Sequence, residues 1–159
     1  AIVDPMAFWL VRSEPSVYSI ADLKRDSATA WEGVRNFQAR NFLRQMKRGE
    51  KVIFYHSVED PVGAAGVCRI AREAYPDPSQ FNKKSGYFEP RAAPDKPYWY
   101  CADLEFVEQF PGVLRLDAIR ALPGLDSMVL LQRGTRLSVQ PVSAEQFKVI
   151  TRAARKNRS

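Results

Sequence analysis

"NFQARNFLRQMKRGEKVIFYHSVEDPVGAAGVCRIAREAY", residues 36–75, holds one helix and then two strands with no second helix between them. Asn36 is a suitable N-cap, and Ala39, Phe42, Leu43 and Met46 recur at i, i+3, i+4 and i+7, which makes one apolar stripe. Lys47 and Arg48 suit the negative end of the helix dipole, and Gly49 suits the exit. The spacing predicts a helix over 36–48. "KVIFYHS" (51–57) alternates instead, with Val52, Phe54 and His56 on one face and Ile53, Tyr55 and Ser57 on the other. "VGAAGVCRIAREAY" (62–75) reads as a further strand, in which Gly63 and Gly66 signal a bulge or a close backbone approach.

The flanking segments extend this pattern. "AFWLVRS" (7–13) reads as a strand, and Ser19 with Asp22 three residues on caps a short helix that buries Ile20 and Leu23. From Pro76 to Pro97 the chain is rich in Pro, Ser, Asn, Lys and Gly and reads as a functional or covering loop. "YWYCADLEFVEQF" (98–110) alternates as a strand, "LDAIRALPG" suggests a short helix and "RLSVQPVS" another strand. Ser143 with Gln146 at N3 opens a closing helix to Ala154. Strands and helices do not alternate regularly, which argues against a doubly wound parallel sheet. The expectation is α+β, a small mixed β-barrel with peripheral helices in one domain of the 159-residue chain.

Composition narrows the function classes. Apolar and charged fractions of 45% and 26% are those of a soluble globular chain, and no window approaches the ~18 apolar residues of a spanning helix. The start, "AIVDPMAFWL", lacks a basic region followed by an apolar one, so a cytoplasmic location is expected, and the 1–6 segment falls outside the domain, with Ala1–Pro5 as extra residues and Met6 as the native start. Cys68 and Cys101 lie in strand-like runs and could pair if those strands are neighbours; without a secretion signal, reduced core thiols are expected. One histidine and no Cys-x-x-Cys spacing leave too few ligands for zinc, so no metal or other cofactor is expected. The 24 Lys+Arg outnumber the 18 Asp+Glu, but Arg152, Arg155, Lys156 and Arg158 fall in a basic tail read over 152–159. The body is near neutral, so a case for nucleic acid rests on clustering rather than bulk charge.

Residues 31–57 form that cluster, and each candidate has a plain reading beside its functional one. His56 suits a general base, but no Gly-x-Ser-x-Gly elbow accompanies it, and a structural or ligand-contacting histidine is the alternative. Arg35, the helix start at Asn36 and Arg40 suit an anion such as phosphate, or else a solvated basic face. Trp31 beside Gly33, followed by the amides of Asn36, Gln38 and Asn41, suits a flat heteroaromatic ligand; the alternative is a core tryptophan.

"FWLVRSEPSVYSIADL", "WEGVRNFQARNFLRQMKRGEKVIFYHS", "AYPDPSQF" and "RLSVQPVS" together resemble the EVE domain family of the PUA-like superfamily, in order from about Ala7 to Ile150. The resemblance implies a PUA-like barrel, a domain over 7–151, and a pocket for a nucleobase, in particular a modified one. It implies ligand-binding roles for Ser13, Glu14, Trp31, Gly33, Val34, Arg35, Asn36, Gln38, Arg40, Asn41, Tyr55, His56 and Ser57, with Ser138 and Gln140 from the last motif. Arg12 stands where family members often carry Lys, and Phe37 where Tyr is common. The expected function is non-catalytic recognition of a modified base in DNA or RNA by a monomer with no membrane partner. The alternatives are a hydrolase acting on such a base through Glu14 or His56, and a sensor of a free nucleoside or anionic metabolite.

Overall fold

The computed structural model describes residues 6–157, so Ala1–Pro5 and Arg158, on which the extra N-terminal residues and part of the basic tail were placed, lie outside the described residues. Its chain order is β1 (Phe8–Ser13), α1 (Ile20–Asp26), β2 (Ala28–Ala30), α2 (Phe37–Gln45), β3 (Lys51–His56), β4 (Gly63–Pro76), β5 (Tyr100–Arg115), α3 (Leu116–Ala121), β6 (Val139–Val142) and α4 (Ala144–Lys156). The strands form one six-stranded sheet in the order β2-β5-β4-β3-β1-β6. β1 runs parallel to β3 and every other neighbour is antiparallel.

The α+β architecture follows from β1 and β3, which are buried on both faces. Trp9, Val11, Val52 and Phe54 meet Ile20 and Leu23 of α1 and Ala39 and Leu43 of α2 on one side. Leu10, Ile53 and Tyr55 meet Ile119 of α3 and Ile150 and Ala154 of α4 on the other. The expected barrel is not closed. β2 and β6, of three and four residues, are the two edges, and no ladder joins them among the described residues. Edges this short offer too few backbone groups to seal a barrel.

The long β4–β5 pair bends at several register shifts. Gly63 and Gly66 make the close approach that their spacing predicts: a Cβ would fall on the Leu114 carbonyl at Gly63, and on the Glu108 carbonyl and Ile20 at Gly66. β5 runs on through "FPGVLR", which has no clear period, and Pro111 is accommodated inside one of the shifts. The same pair brings the cysteines onto neighbouring strands but out of register, Cys68 opposite Phe106 and Cys101 opposite Tyr75; both thiols are buried and free.

α2 ends at Gln45, earlier than the spacing predicts. The cause is Glu50, a carboxylate only 3% exposed. It accepts hydrogen bonds from the Lys47 amide at 2.7 Å, the Ala7 amide at 2.7 Å and the Trp9 indole at 2.9 Å. Those bonds fold 46–50 into a turn, completed by Gly49 at φ +89°. At the other end of the chain α4 continues through Lys156, so Arg152, Arg155 and Lys156 are helical, and Arg155 pairs with Glu108 at 2.5 Å.

Candidate functional site

An open cavity of about 530 Å³ lies where β1 ends, walled by Ser13, Glu14, Trp31, Tyr18, Tyr87 and Ser138 among others. Its position follows from the sheet. β1 delivers Ser13 and Glu14, β2 leads straight into the 31–36 segment, and Ser138 immediately precedes β6.

Trp31 is anchored by its backbone and by its ring. Its amide donates to the Ala102 carbonyl at 2.8 Å. Tyr18 and Phe54 meet the indole edge-on, at centroid distances of 6.4 and 5.6 Å and interplanar angles of 74° and 77°. The ring is half-buried: one part packs on the core layer and the remainder lines the cavity. Tyr18 is positioned in turn by the Ser13 hydroxyl, which donates to its carbonyl at 2.6 Å, and by its own hydroxyl, which donates to Asp26 at 2.9 Å.

The opposite wall is a strap from the 76–97 loop. Asp77 is fully buried. It accepts from the Gly33 amide at 2.8 Å, the Arg35 guanidinium at 3.1 Å, and the Ser79 amide and hydroxyl at 2.8 and 2.5 Å. Burial alone would raise the Asp77 pKa, but these donors hold it below the usual carboxylate range. Arg35 also donates to the Tyr87 carbonyl at 2.8 Å and to Ser79, and its guanidinium stands 5.2 Å from the Tyr87 ring and 5.4 Å from that of Trp99. Tyr87 thereby lies over Gly33, where a Cβ would come within 2.7 Å of its ring; Gly33 also has φ +84°. Beside the strap Glu32 is raised, first by burial and then by the charge of Asp77, with Arg35 opposing.

His56 is not among the residues that line the cavity; it is buried, with its ring edge-on to Phe54 of the core. Its Nε2 accepts the amide of Ile20, the first residue of α1, at 3.1 Å. The ring is neutral in this role, and burial pushes its pKa down against the nearby charges of Glu59 and Asp22. Its acceptor nitrogen serves the helix rather than a substrate.

The residues singled out in the sequence thus separate. Ser13, Glu14, Trp31, Gly33, Val34, Arg35 and Ser138 converge on the cavity. Ser57 lines a neighbouring one of about 590 Å³, which shares Arg12, Glu14 and Ser138 with the first. Asn36 caps α2 through its side-chain oxygen, which accepts the Ala39 amide at 2.9 Å. Gln38 and Asn41 are exposed on α2, and Arg40 donates to the Tyr98 carbonyl at 3.0 Å. Tyr55 and Gln140 belong to the layer on the far side of the sheet. The sequence reading did not single out Tyr18, Tyr87 or Arg136, and met Arg12 only as a departure from the family pattern. The length and composition of the 76–97 loop did signal a covering role, and Tyr87 fills it.

This geometry matches a known family. Residues 7–153 fit the EVE domain model. The chain belongs to the EVE domain family. Among curated EVE relatives, human thymocyte nuclear protein 1 is 41% identical over 161 residues, which span 89% of this chain and 71% of the human protein. Two solved structures are also close. A Pseudomonas putida protein superposes with TM-score 0.90 at 46% identity, covering 94% of this chain and 99% of that one. Human THYN1 in complex with 5-methylcytosine-containing DNA superposes with TM-score 0.87 at 38% identity, covering 95% and 99%.

Proposed function

We propose that this EVE domain is a non-catalytic module that receives a modified base of DNA in the cavity beside Trp31, with 5-methylcytosine as the first ligand to test. The observation that carries the reading is an open, aromatic-walled cavity whose tryptophan is held in plane by Tyr18 and Phe54, with Ser13, Glu14 and Ser138 at its edge. The relative seen with 5-methylcytosine DNA supports the choice of ligand. A carboxylate such as that of Glu14 suits the exocyclic amine of a cytosine, and a serine hydroxyl suits either donor or acceptor.

The magnitudes constrain how such a module works. Stacking one base contributes ~1–3 kcal/mol, and extracting it from a duplex costs a few kcal/mol. Those nearly cancel, so duplex affinity requires phosphate contacts as well. A buried methyl contributes only ~0.8 kcal/mol. Discrimination therefore rests on the close wall that Tyr87 builds over Gly33, not on apolar contact alone. The test is a binding screen of DNA and RNA oligonucleotides carrying different modified bases, with the products analysed afterwards. Selective binding with unchanged oligonucleotides is expected. Base release or deamination that is lost in Glu14→Gln would replace the reading with the enzymatic one, and equal affinity for all oligonucleotides would remove it.

A further inference from the structure

The second cavity, of about 590 Å³, opens beside the first and shares Arg12, Glu14 and Ser138 with it. What it adds is of a different chemical kind. The first cavity is walled by aromatic rings, whereas the second is walled by Arg12, Arg136 and the hydroxyls of Ser57, Thr135 and Ser138. Neither arginine takes part in an ion pair among the described residues. Arg12 instead stands 5.7 Å from the centroid of the Tyr55 ring, a contact that orients the guanidinium while leaving its hydrogen-bond donors free for an acceptor.

The rim between the two cavities is fixed. The Ser57 amide donates to the Ser13 carbonyl, and the Glu59 amide to the Ser57 carbonyl, both at 2.8 Å. Glu59 also holds Ser16 through its amide at 3.0 Å and through its hydroxyl. Between them Val58 is 72% exposed and sits at φ +69°, a conformation a β-branched residue adopts only under strain. Strain of this kind persists where the surrounding structure over-determines it, and here it shapes the wall of a cavity.

We propose that this second cavity binds the backbone phosphate adjoining the base held in the first, with Arg12 and Arg136 as its cationic ligands. The inference rests on the base-binding reading for its geometry, since a phosphate lies next to any bound base. It also moves the phosphate contacts away from Arg35 and Arg40, whose guanidiniums are engaged with Asp77, Ser79 and backbone carbonyls. Glu14 lines both cavities, and an acceptor there is useful to the base of the same nucleotide.

Two measurements test it, on wild type and on Arg136→Gln, a substitution at an exposed residue outside the first cavity. In the first, 5-methyl-2′-deoxycytidine is titrated alongside its 5′- and 3′-monophosphates. One monophosphate is expected to bind about tenfold more tightly than the nucleoside. Arg136→Gln should remove that gain and leave nucleoside affinity unchanged, and the monophosphate that shows the gain identifies which side of the base is held. In the second, binding of an unmodified duplex is followed against salt. The slope of log affinity on log salt should fall by about one in Arg136→Gln, and by about as much again when Arg12→Gln is added. No phosphate gain, or a gain and a salt slope that survive both substitutions, would overturn the proposal. Failure of the base reading looks different: nucleoside binding is then absent, while the duplex salt slope still reports on the arginines.

Discussion

Gly33 shows how one backbone position sets the shape of the cavity. Its φ of +84° and the Tyr87 ring above it both exclude a side chain. Gly33→Ala is expected to destabilise the protein by about 1–2 kcal/mol from the left-handed backbone, and to displace Tyr87 as well. Urea melts and the accessibility of Tyr87 measure the two effects; unchanged stability would contradict the account. The need for glycine next to Trp31 is legible in the sequence, as is Trp31 itself. The tyrosine over Gly33 is not, because it arrives from a loop more than fifty residues downstream whose irregular composition carries no period. Glu50 escapes for a related reason: in sequence it is an acid after a glycine, and only the return of β1 supplies the Trp9 indole and the Ala7 amide that justify its burial.

The elements around the cavity are tied to it by single polar groups. For α1 that group is His56, whose neutral ring caps the Ile20 amide. A histidine held neutral by burial binds fewer protons folded than unfolded, so its contribution is present above the ordinary histidine pKa and is lost as pH falls below it. Asp22 and Glu59, both near the ring, oppose that shift and limit its size. Stability should decline from pH 7 to 5 more steeply in wild type than in His56→Gln; parallel profiles would contradict the structural role. For the 76–97 strap the group is Asp77. Asp77→Ala unpairs Arg35 and frees the Gly33 and Ser79 amides, and is expected to cost about 2–3 kcal/mol, below the range for a fully buried pair because Arg35 stays partly exposed. Thermal melts check the loss of stability, and hydrogen exchange at the Gly33 and Ser79 amides checks the local effect; an unshifted melt would count against it. The caps of α1 and α4, Ser19 with Asp22 and Ser143 with Gln146, are where their spacing predicts, because a capping box is a local signal. β2 is not foreseeable from "ATA", whose three residues are a strand only because β5 lies alongside.

In the whole molecule, the strands other than β2, the helices and the α+β class were legible, because alternation and helical stripes follow directly from which faces are buried. Closure was not, because it depends on whether the two edges meet, and β2 and β6 are too short to do so. The distribution of charge was likewise hidden. The cations prominent in sequence, Arg35 and Arg40, are held by the fold, and of those prominent as a tail Arg152, Arg155 and Lys156 lie in α4, on the sheet face away from Trp31. Arg12 and Arg136, far apart in the chain, meet beside the cavity. The most direct measurement is the affinity of wild type and Trp31→Ala for one duplex with and without 5-methylcytosine, at fixed salt. Wild type should prefer the methylated duplex, and the folded variant should lose about 10- to 100-fold for it, the equivalent of one stacked base. Equal affinity for the two duplexes, or an undiminished Trp31→Ala, would contradict recognition of the base in this cavity.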